Sequence, residues 1–547
     1  MSCDNQIPTR APSLLILLGI ITGLSLARQV TAPIAWTLAI AILLTALSLR
    51  WCTQQRLLWL VSFITAATLT AWAYGSLRLP AKPPVELLER PIREAHLDLK
   101  VERIMQARNN YGKSTGIGRI LQASATSRLQ PGDQIFFSLE RSPKEHFEIS
   151  RGCAIRATGV LTPISPHVAP DSFESYLSST GIHYRFERTS GLERLQAPSQ
   201  FDQFCQRMNT RFQNYLRLGA PTESGIDSIY VAMLLGRKTE LNSAQKDRFQ
   251  MTGTMHFFAI SGLHIGVIAT VIAQFLRLIR VPSKISPFIG LPLLYLYVEI
   301  TGAAPSAVRA FLMALFFWMS FAFTRQRSPL AALAASAVFV LLIKPDQLWS
   351  IGFQLSYTVV LSILLFGLPL SQILTERLAP FRALPKPDWS RLQHIYAWAL
   401  EFSLLLFAIS VSAWLASAPL SAAFFGFFSP GAILLNMLLV NLAALAISTG
   451  VITLSLGLLG IENIAAFINH AAWLSIHLMD RCVIASTQIP GMIIACETFA
   501  KWVAYMGLAG YFIALFWLHH TRAQRSPVAW LLPPTVILLS LLMGITR

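Results

Sequence analysis

The sequence predicts a polytopic α-helical membrane protein that carries a small inserted all-β domain. Hydrophobic residues make up 54% of the 547 residues and charged residues only 13%, whereas soluble domains carry about 25% charged residues. Many separate apolar runs approach the ~20 residues that cross a bilayer as a helix. One long stretch without such a run instead alternates apolar and polar residues, which is typical of β-strands.

The apolar runs predict about thirteen membrane spans, three before the inserted domain and ten after it. The first three are residues 14–26, 33–49 and 57–77. The later ten are residues 255–278, 288–300, 305–323, 330–343, 351–370, 398–425, 431–456, 464–484, 499–518 and 529–543. Several runs are short, so we expect one or two re-entrant or broken helices that protein or water covers.

These spans divide the chain into four regions. Residues 1–80 form an N-terminal three-span segment, residues 81–200 the β domain, residues 201–250 a connection and residues 251–547 the main membrane domain. Within the connection, residues 203–218 read as an amphipathic helix with Arg207, Arg211 and Arg217 on its polar side. Such a helix either lies at the membrane surface or is a plain solvated helix returning to the bilayer.

Five short alternating segments predict the strands of the inserted domain. They are residues 97–106, 114–122, 134–140, 154–162 and 183–190, with a turn at residues 131–133 and a helix at residues 171–179. A five-stranded barrel with a helix in one connection is similar to the oligonucleotide/oligosaccharide-binding (OB) barrel, although other small barrels also fit this strand count. Cys153 and Cys205 lie in this part of the chain, and a single disulfide between them stays an open alternative.

The basic residues set the expected orientation. The chain has 44 Lys and Arg against 27 Asp and Glu, a formal charge of +17, and cytoplasmic loops of membrane proteins collect Lys and Arg. If the N-terminus is cytoplasmic, the predicted spans place the basic loop clusters of the second block on one side and the β domain on the other. We therefore expect a multi-pass membrane protein with an extracytoplasmic β domain.

The most distinctive polar stretch, residues 253–265, opens a predicted span. It contains His256, Ser261, Gly262 and His264. A nucleophilic Ser–His pair is not favoured, because no acidic residue of the motif orients the histidine, and no catalytic residue is predicted. These groups either bond between packed helices, with Gly262 permitting a close approach, or line a pore.

Arg309 is a further candidate, because it lies within a predicted span just after Pro305. Ionisable groups at membrane depth normally face protein or water. Arg309 therefore either faces a polar passage, where a helix starting at Pro305 would also attract phosphates, or pairs with a carboxylate. The carboxylates considered are Glu299, Glu401 and Asp480.

Four uncharged polar residues complete the pore candidates: Gln354, Ser356, Asn436 and Asn441. Hydrogen bonds between helices are the favoured interpretation for each. Such groups also suit a channel that must release its cargo.

Residues 259–265, with the sequence Ala-Ile-Ser-Gly-Leu-His-Ile, closely resemble the signature of the ComEC-type competence family. Further matches follow in the family's order at residues 234–237, 302–310, 327–329, 350–356, 418–420 and 425–426. The resemblance covers about residues 20–460 and implies an inner-membrane channel that imports single-stranded DNA during natural transformation. Residues 436–441 depart from the pattern, because they lack a proline that family members often place there.

Many family members continue into a metallo-β-lactamase-like domain proposed to degrade the other strand. This chain contains no His-x-His-x-Asp-His run, so nuclease activity, if needed, is expected from another polypeptide. It also contains no Gly-rich nucleotide-binding loop. We therefore expect no enzymatic activity, no cofactor and no metal, and as partners the lipid bilayer, single-stranded DNA, an external DNA-delivery protein and a separate cytoplasmic ATPase. The oligomeric state stays open, a homodimer included.

Basic and aromatic residues alternate in the inserted domain, the combination that single-strand binders use to track phosphates and stack bases. At least half of the aromatic residues have to fill the barrel core, and the basic excess is mild. The DNA-binding candidates are Lys113, Arg119, Arg128, Arg151, Arg156 and Arg185. The alternatives to a DNA channel are a transporter or flippase for another anionic solute, and a membrane scaffold without transport.

Overall fold

The chain folds into a helical bundle with a small β-barrel inserted after its third helix. The computed structural model describes residues 12–51, 55–79, 93–106, 113–124, 129–140, 149–164, 173–220, 225–322, 328–381, 385–496, 498–521 and 526–545.

Three helices precede the barrel: α1 (Pro12–Gln29), α2 (Ile34–Trp51) and α3 (Arg56–Arg78). Gly23 brings the backbones of α1 and α3 together, because a Cβ atom at this position would lie 2.3 Å from the Thr68 carbonyl oxygen. Thr22 and Thr68 share a hydrogen bond of 3.0 Å between the same helices. Small residues and hydroxyls are the usual contacts between helices in a membrane, where burial of apolar surface gives little drive for association.

The inserted domain is a closed five-stranded barrel with the strand order β1-β2-β3-β5-β4. Its elements are β1 (Arg93–Gln106), β2 (Lys113–Ala123), β3 (Gln134–Glu140), β4 (Ala154–Pro163), the helix α4 (Phe173–Ser179) and β5 (Tyr184–Gln196). The five predicted strands and the helix in the last connection are confirmed.

Alternate side chains of these strands fill the barrel, including Leu97, Leu99, Phe137 and Phe186. Full burial of such a side chain contributes about 1.5–3 kcal/mol. Because a closed barrel leaves no strand edge unpaired, the domain needs no partner to complete its sheet.

Helix α5 (Gln200–Leu216) returns the chain from the barrel to the bundle. The apolar face of α5, with Met208, Phe212 and Leu216, packs into the main core cluster of the bundle. Arg207 and Arg211 are exposed on the opposite face. The predicted amphipathic helix is therefore present, and its apolar side is covered by protein.

The disulfide alternative is wrong in this structure. Cys153, next to β4, and Cys205, in α5, are both buried free thiols. Burial raises the pKa of Cys153, as expected for a thiol whose charged form is desolvated.

The bundle after α5 contains thirteen helices among the described residues. They are α6 (Ile226–Leu235), α7 (Ser243–Met251), α8 (Gly262–Leu278), α9 (Ser286–Ile300), α10 (Pro305–Ala322), α11 (Pro329–Ile343), α12 (Ile351–Ser362), α13 (Leu368–Leu378), α14 (Arg391–Phe425), α15 (Ala432–Leu458), α16 (Glu462–Thr487), α17 (Lys501–His520) and α18 (Leu532–Ile545). A π-helical turn, Ile363–Gly367, joins α12 to α13.

In the described part of the chain, seven helices are long and apolar enough to cross a membrane, and six shorter apolar helices have 10–17 residues. These apolar helices identify the chain as a membrane protein. Helix length alone does not establish thirteen spans. Helix α6 was not expected from the sequence analysis, and it is buried along nearly its whole length at the centre of the core.

Candidate functional site

A cavity of about 2710 Å³ lies where the barrel meets the bundle. Strands β1, β2 and β3 line it on one side, and α8, α10, α12, α14 and α15 line it on the other. Within the described ranges its lining contains nine basic and five acidic residues. The basic ones are Arg78, Lys100, Arg103, Arg119, Arg151, Arg237, Lys238, Arg309 and Lys344, and the acidic ones Glu102, Asp133, Asp202, Glu299 and Asp346.

The start of α8 borders this cavity with its backbone. Gly262, Gly266 and Thr270 follow one another at helical spacing, are exposed and line the cavity. A Cβ atom at Gly262 or Gly266 would meet no atom within 4 Å. The alternative in which Gly262 permits a close helix contact is therefore wrong, because open space lies where a neighbouring helix would have to be.

The two histidines of the motif occupy different environments. His256 is exposed in the cavity lining, and its Nδ1 lies 3.0 Å from the Gly253 carbonyl oxygen. His264 has 0% exposure and lies outside the lining. The Ser261 hydroxyl, which does line the cavity, lies 3.1 Å from His264 Nδ1 and the Ser261 backbone N–H donates to the same atom. His264 thus caps the first turn of α8 and holds Ser261 in place.

Arg309 is brought to the cavity from α10. Its side chain is only 5% exposed, and Nη2 donates to the Gly352 carbonyl oxygen at 2.9 Å. The absence of a side chain at Gly352 makes room for this contact, since a Cβ atom there would lie 3.3 Å from Nη2. Two carboxylates considered as partners are engaged elsewhere: Glu299 pairs with Arg151 at 2.8 Å, and Asp480 lies 3.5 Å from Arg248.

The uncharged candidates separate into two pairs. Ser356 and Asn436 line the cavity, from α12 and α15. Gln354 and Asn441 do not belong to the lining and are bound to other groups. Gln354 donates to the Leu348 carbonyl oxygen at 3.1 Å and accepts from the Tyr505 hydroxyl at 3.0 Å, whereas Asn441 donates to the Met437 carbonyl oxygen of its own helix at 2.8 Å.

Each described DNA-binding candidate of the barrel is already ion-paired. The pairs are Lys113 with Glu140 at 2.6 Å, Arg119 with Glu102, Arg151 with Glu299, Arg156 with Asp98 at 2.8 Å, and Arg185 with Glu174 at 2.7 Å and with Glu187. Arg128 lies outside the described residues. The hydrogen bond to Asp98 raises the pKa of Arg156. Arg119 and Arg151 line the cavity, and the other three do not.

Six basic residues of the lining were not selected in the sequence analysis: Arg78, Lys100, Arg103, Arg237, Lys238 and Lys344. Arg237 belongs to the motif at residues 234–237 and could have been chosen from it. Arg103 and Lys238 belong to no motif, and only the approach of β1 to the segment after α6 brings them into one lining. In the described part of the chain, no three His, Cys, Asp or Glu side chains are grouped so that they could hold a metal ion.

Two known proteins are similar to this chain in sequence. ComE operon protein 3 of Bacillus subtilis is 28% identical over 231 residues, which cover 42% of this chain and 29% of that protein. The Uncharacterized protein MG316 homolog of Mycoplasma pneumoniae is 28% identical over 222 residues, which cover 37% of this chain and 56% of that protein. The chain thus spans less than two thirds of either relative. No solved structure matches it significantly.

Residues 233–521 match the protein family described as Competence protein. The matched segment extends from the end of α6 to α17 and includes α8, α10, α12, α14 and α15, which line the cavity. Because it covers more than half of the sequence, the chain belongs to the competence protein family.

Proposed function

We propose that the chain forms a conduit for single-stranded DNA across the bacterial inner membrane during natural transformation. The observation that carries this proposal is the cavity between barrel and bundle, whose lining holds nine basic and five acidic residues. A net positive lining attracts a polyanion and raises its local concentration. Membership of the competence protein family supports DNA as the cargo.

The size of the cavity favours a polymer over a small solute. Its volume of about 2710 Å³ exceeds the ~300–1000 Å³ of usual small-molecule pockets. The exposed backbone of α8 at Gly262 and Gly266 offers polar groups without bulk. Such a surface binds weakly enough for a passing strand to leave, as conduction requires.

The barrel fits the role of an entry domain. Its closed five-stranded order, β1-β2-β3-β5-β4, supports an OB-like barrel, a fold that binds oligonucleotides through the face of strands 2 and 3 and through the loop between strands 4 and 5. Arg119 of β2, Gln134 of β3 and Gly181 before β5 all line the cavity. The barrel would therefore present its binding side to the bundle, and it would do so from the extracytoplasmic side of the membrane.

We propose thirteen spans for this fold. They are the seven long helices, five of the shorter ones, and α16, whose 26 residues exceed the ~20 needed to cross. Helix α6 is left out, because protein encloses it. If the N-terminus is cytoplasmic, thirteen spans place the basic loops on the cytoplasmic side of the membrane.

In this scheme the chain guides DNA and is not itself an enzyme. A separate cytoplasmic ATPase would supply the energy, an external DNA-delivery protein the substrate, and a separate nuclease would remove the other strand. The passage would lie within one subunit, since one chain supplies both barrel and bundle lining, and a homodimer would then hold two passages.

The test is uptake of labelled DNA in a strain that lacks the gene. We expect DNA to bind at the cell surface while the cytoplasmic signal disappears, and a plasmid copy of the gene to restore it. The variant Arg309→Ala, inserted at the wild-type level, should restore little uptake. Normal transformation of the deletion strain would reject the DNA conduit and favour another anionic solute or a scaffold.

A further inference from the structure

Three basic residues share the cavity lining at the junction between barrel and bundle, and we call them the junction cluster: Arg103, Arg237 and Lys238. Arg103 belongs to β1, whereas Arg237 and Lys238 follow directly after α6. All three line the large cavity. A strand entering between the two domains would pass them.

The local fold positions Arg237 of this cluster. Gly236 ends α6 with a φ of 69°, a left-handed conformation that favours glycine. The buried Gln213 of α5 then lies beside Arg237. With its amide oxygen facing the guanidinium, Gln213 accepts from Nη1 at 2.9 Å and from Nη2 at 3.0 Å. A neutral amide thus orients Arg237.

Three carboxylates of the lining or of the segment after α6 are paired with other bases. Glu102 bonds Arg119, and Glu240 bonds Arg217 at 2.8 Å. Glu299 bonds Arg151.

Among the described residues, neither Arg103 nor Lys238 forms an ion pair with a carboxylate. Burial, and to a smaller extent the charge of Arg103, lowers the pKa of Lys238. Like charges held together in a partly desolvated place destabilise the fold unless an anion joins them.

Building on the proposed function, we propose that the junction cluster is a phosphodiester-binding site that holds the backbone of the single strand as it passes from barrel to bundle. Phosphate contacts carry no base information, so the site would accept any sequence. Arg103 and Lys238 differ from the described DNA-binding candidates of the barrel, whose charges are balanced by carboxylates.

The test uses the full-length protein in phosphatidylcholine nanodiscs with a fluorescent oligothymidylate, titrated over a range of salt concentrations. In the double variant Arg103→Gln, Lys238→Gln we expect affinity to fall about tenfold for each charge-assisted hydrogen bond lost. The slope of log affinity against log salt should shrink by about 0.7 for each contact. Lys238→Arg, which keeps the charge, should retain the slope.

The matched control is Arg207→Gln, Arg211→Gln, which removes two charges from the exposed face of α5 outside the cavity lining and should behave as the wild type. Unchanged affinity and slope in the cluster variant, with wild-type DNA uptake in cells, would overturn the junction site and leave the conduit standing. A wild-type protein that neither binds the oligonucleotide nor is needed for uptake would overturn both. If phosphatidylglycerol in the nanodiscs abolishes oligonucleotide binding through the same residues, the site belongs to a lipid headgroup and the proposal is wrong.

Discussion

Enlarging the side chain at Gly266 should obstruct the cavity without damaging the fold. A Cβ atom at this position meets no atom within 4 Å and Gly266 lines the cavity, so we expect alanine, leucine and tryptophan to extend by increasing amounts toward the cavity. Replacing glycine inside a helix stabilises it by about 0.5–1 kcal/mol. We therefore expect the folded amount to stay equal or rise through the series while uptake falls with side-chain volume.

Gly290 of α9 is the matched control for this series. A Cβ atom there would lie 2.3 Å from the Trp318 ring, and forcing atoms into a packed site costs about 1–3 kcal/mol. Gly290→Ala should thus reduce the thermal stability of the purified protein, the opposite of Gly266→Ala.

The assay compares the cytoplasmic signal of labelled DNA per folded protein, with folded amount measured by fluorescence-detected size exclusion. Uptake that is unaffected by Gly266→Trp, at a normal folded amount, would refute the reasoning that α8 borders the path of the strand. Loss of folding already at Gly266→Ala would show that the space beside α8 is filled.

Three further predictions concern the contacts that hold the site. The Arg151–Glu299 pair joins barrel to bundle, and the Glu299 side chain is only 11% exposed. A double-mutant cycle on thermal stability should give a coupling energy of about 1 kcal/mol between the two residues. A coupling energy of zero would mean that the pair is not formed. Burial lowers the pKa of His183 in the barrel below its ordinary 6.5, so the unfolded chain binds a proton at a higher pH than the folded barrel does. The contribution of neutral His183 to barrel stability is therefore fully present above about pH 6.5 and is lost as the pH falls toward the folded pKa. His183→Gln should flatten the pH dependence of barrel unfolding in that range, and an unaltered profile would contradict this. His264→Ala removes the cap beside Ser261 and should cost about 1 kcal/mol of stability, while DNA uptake per folded protein stays near normal. A loss of DNA uptake at unchanged stability would instead place His264 in the path of the DNA strand.

The barrel could be predicted closely because its signals are local. Alternation marks each strand, and the turn at residues 131–133 has Gly132 with a φ of 102°, as the Pro-Gly-Asp sequence suggests. The limits of β1 and β5 were predicted too short, because their ends lose alternation and are fixed by pairing with β4.

The membrane spans were harder to delimit, because apolar residues carry no period that distinguishes a lipid-facing helix from a buried one. Helix α6 is apolar like its neighbours and only 10 residues long, yet it forms the centre of the bundle. Helix α14 begins at Arg391, seven residues before the predicted start at residue 398, because a capping box at Ser390 extends it through a polar segment.

By itself the sequence determined the class of the protein, the barrel strands and the position of the competence motif, since these depend on composition and short-range pattern. Only the tertiary structure decided which polar groups share the cavity. It placed Arg309, Ser261 and Lys238 in one lining and enclosed His264, because burial of a side chain depends on helices far apart in the chain. It also paired Lys113, Arg119 and Arg156 with carboxylates of neighbouring strands, since an ion pair across strands depends on the strand register and cannot be read from the number of charged residues.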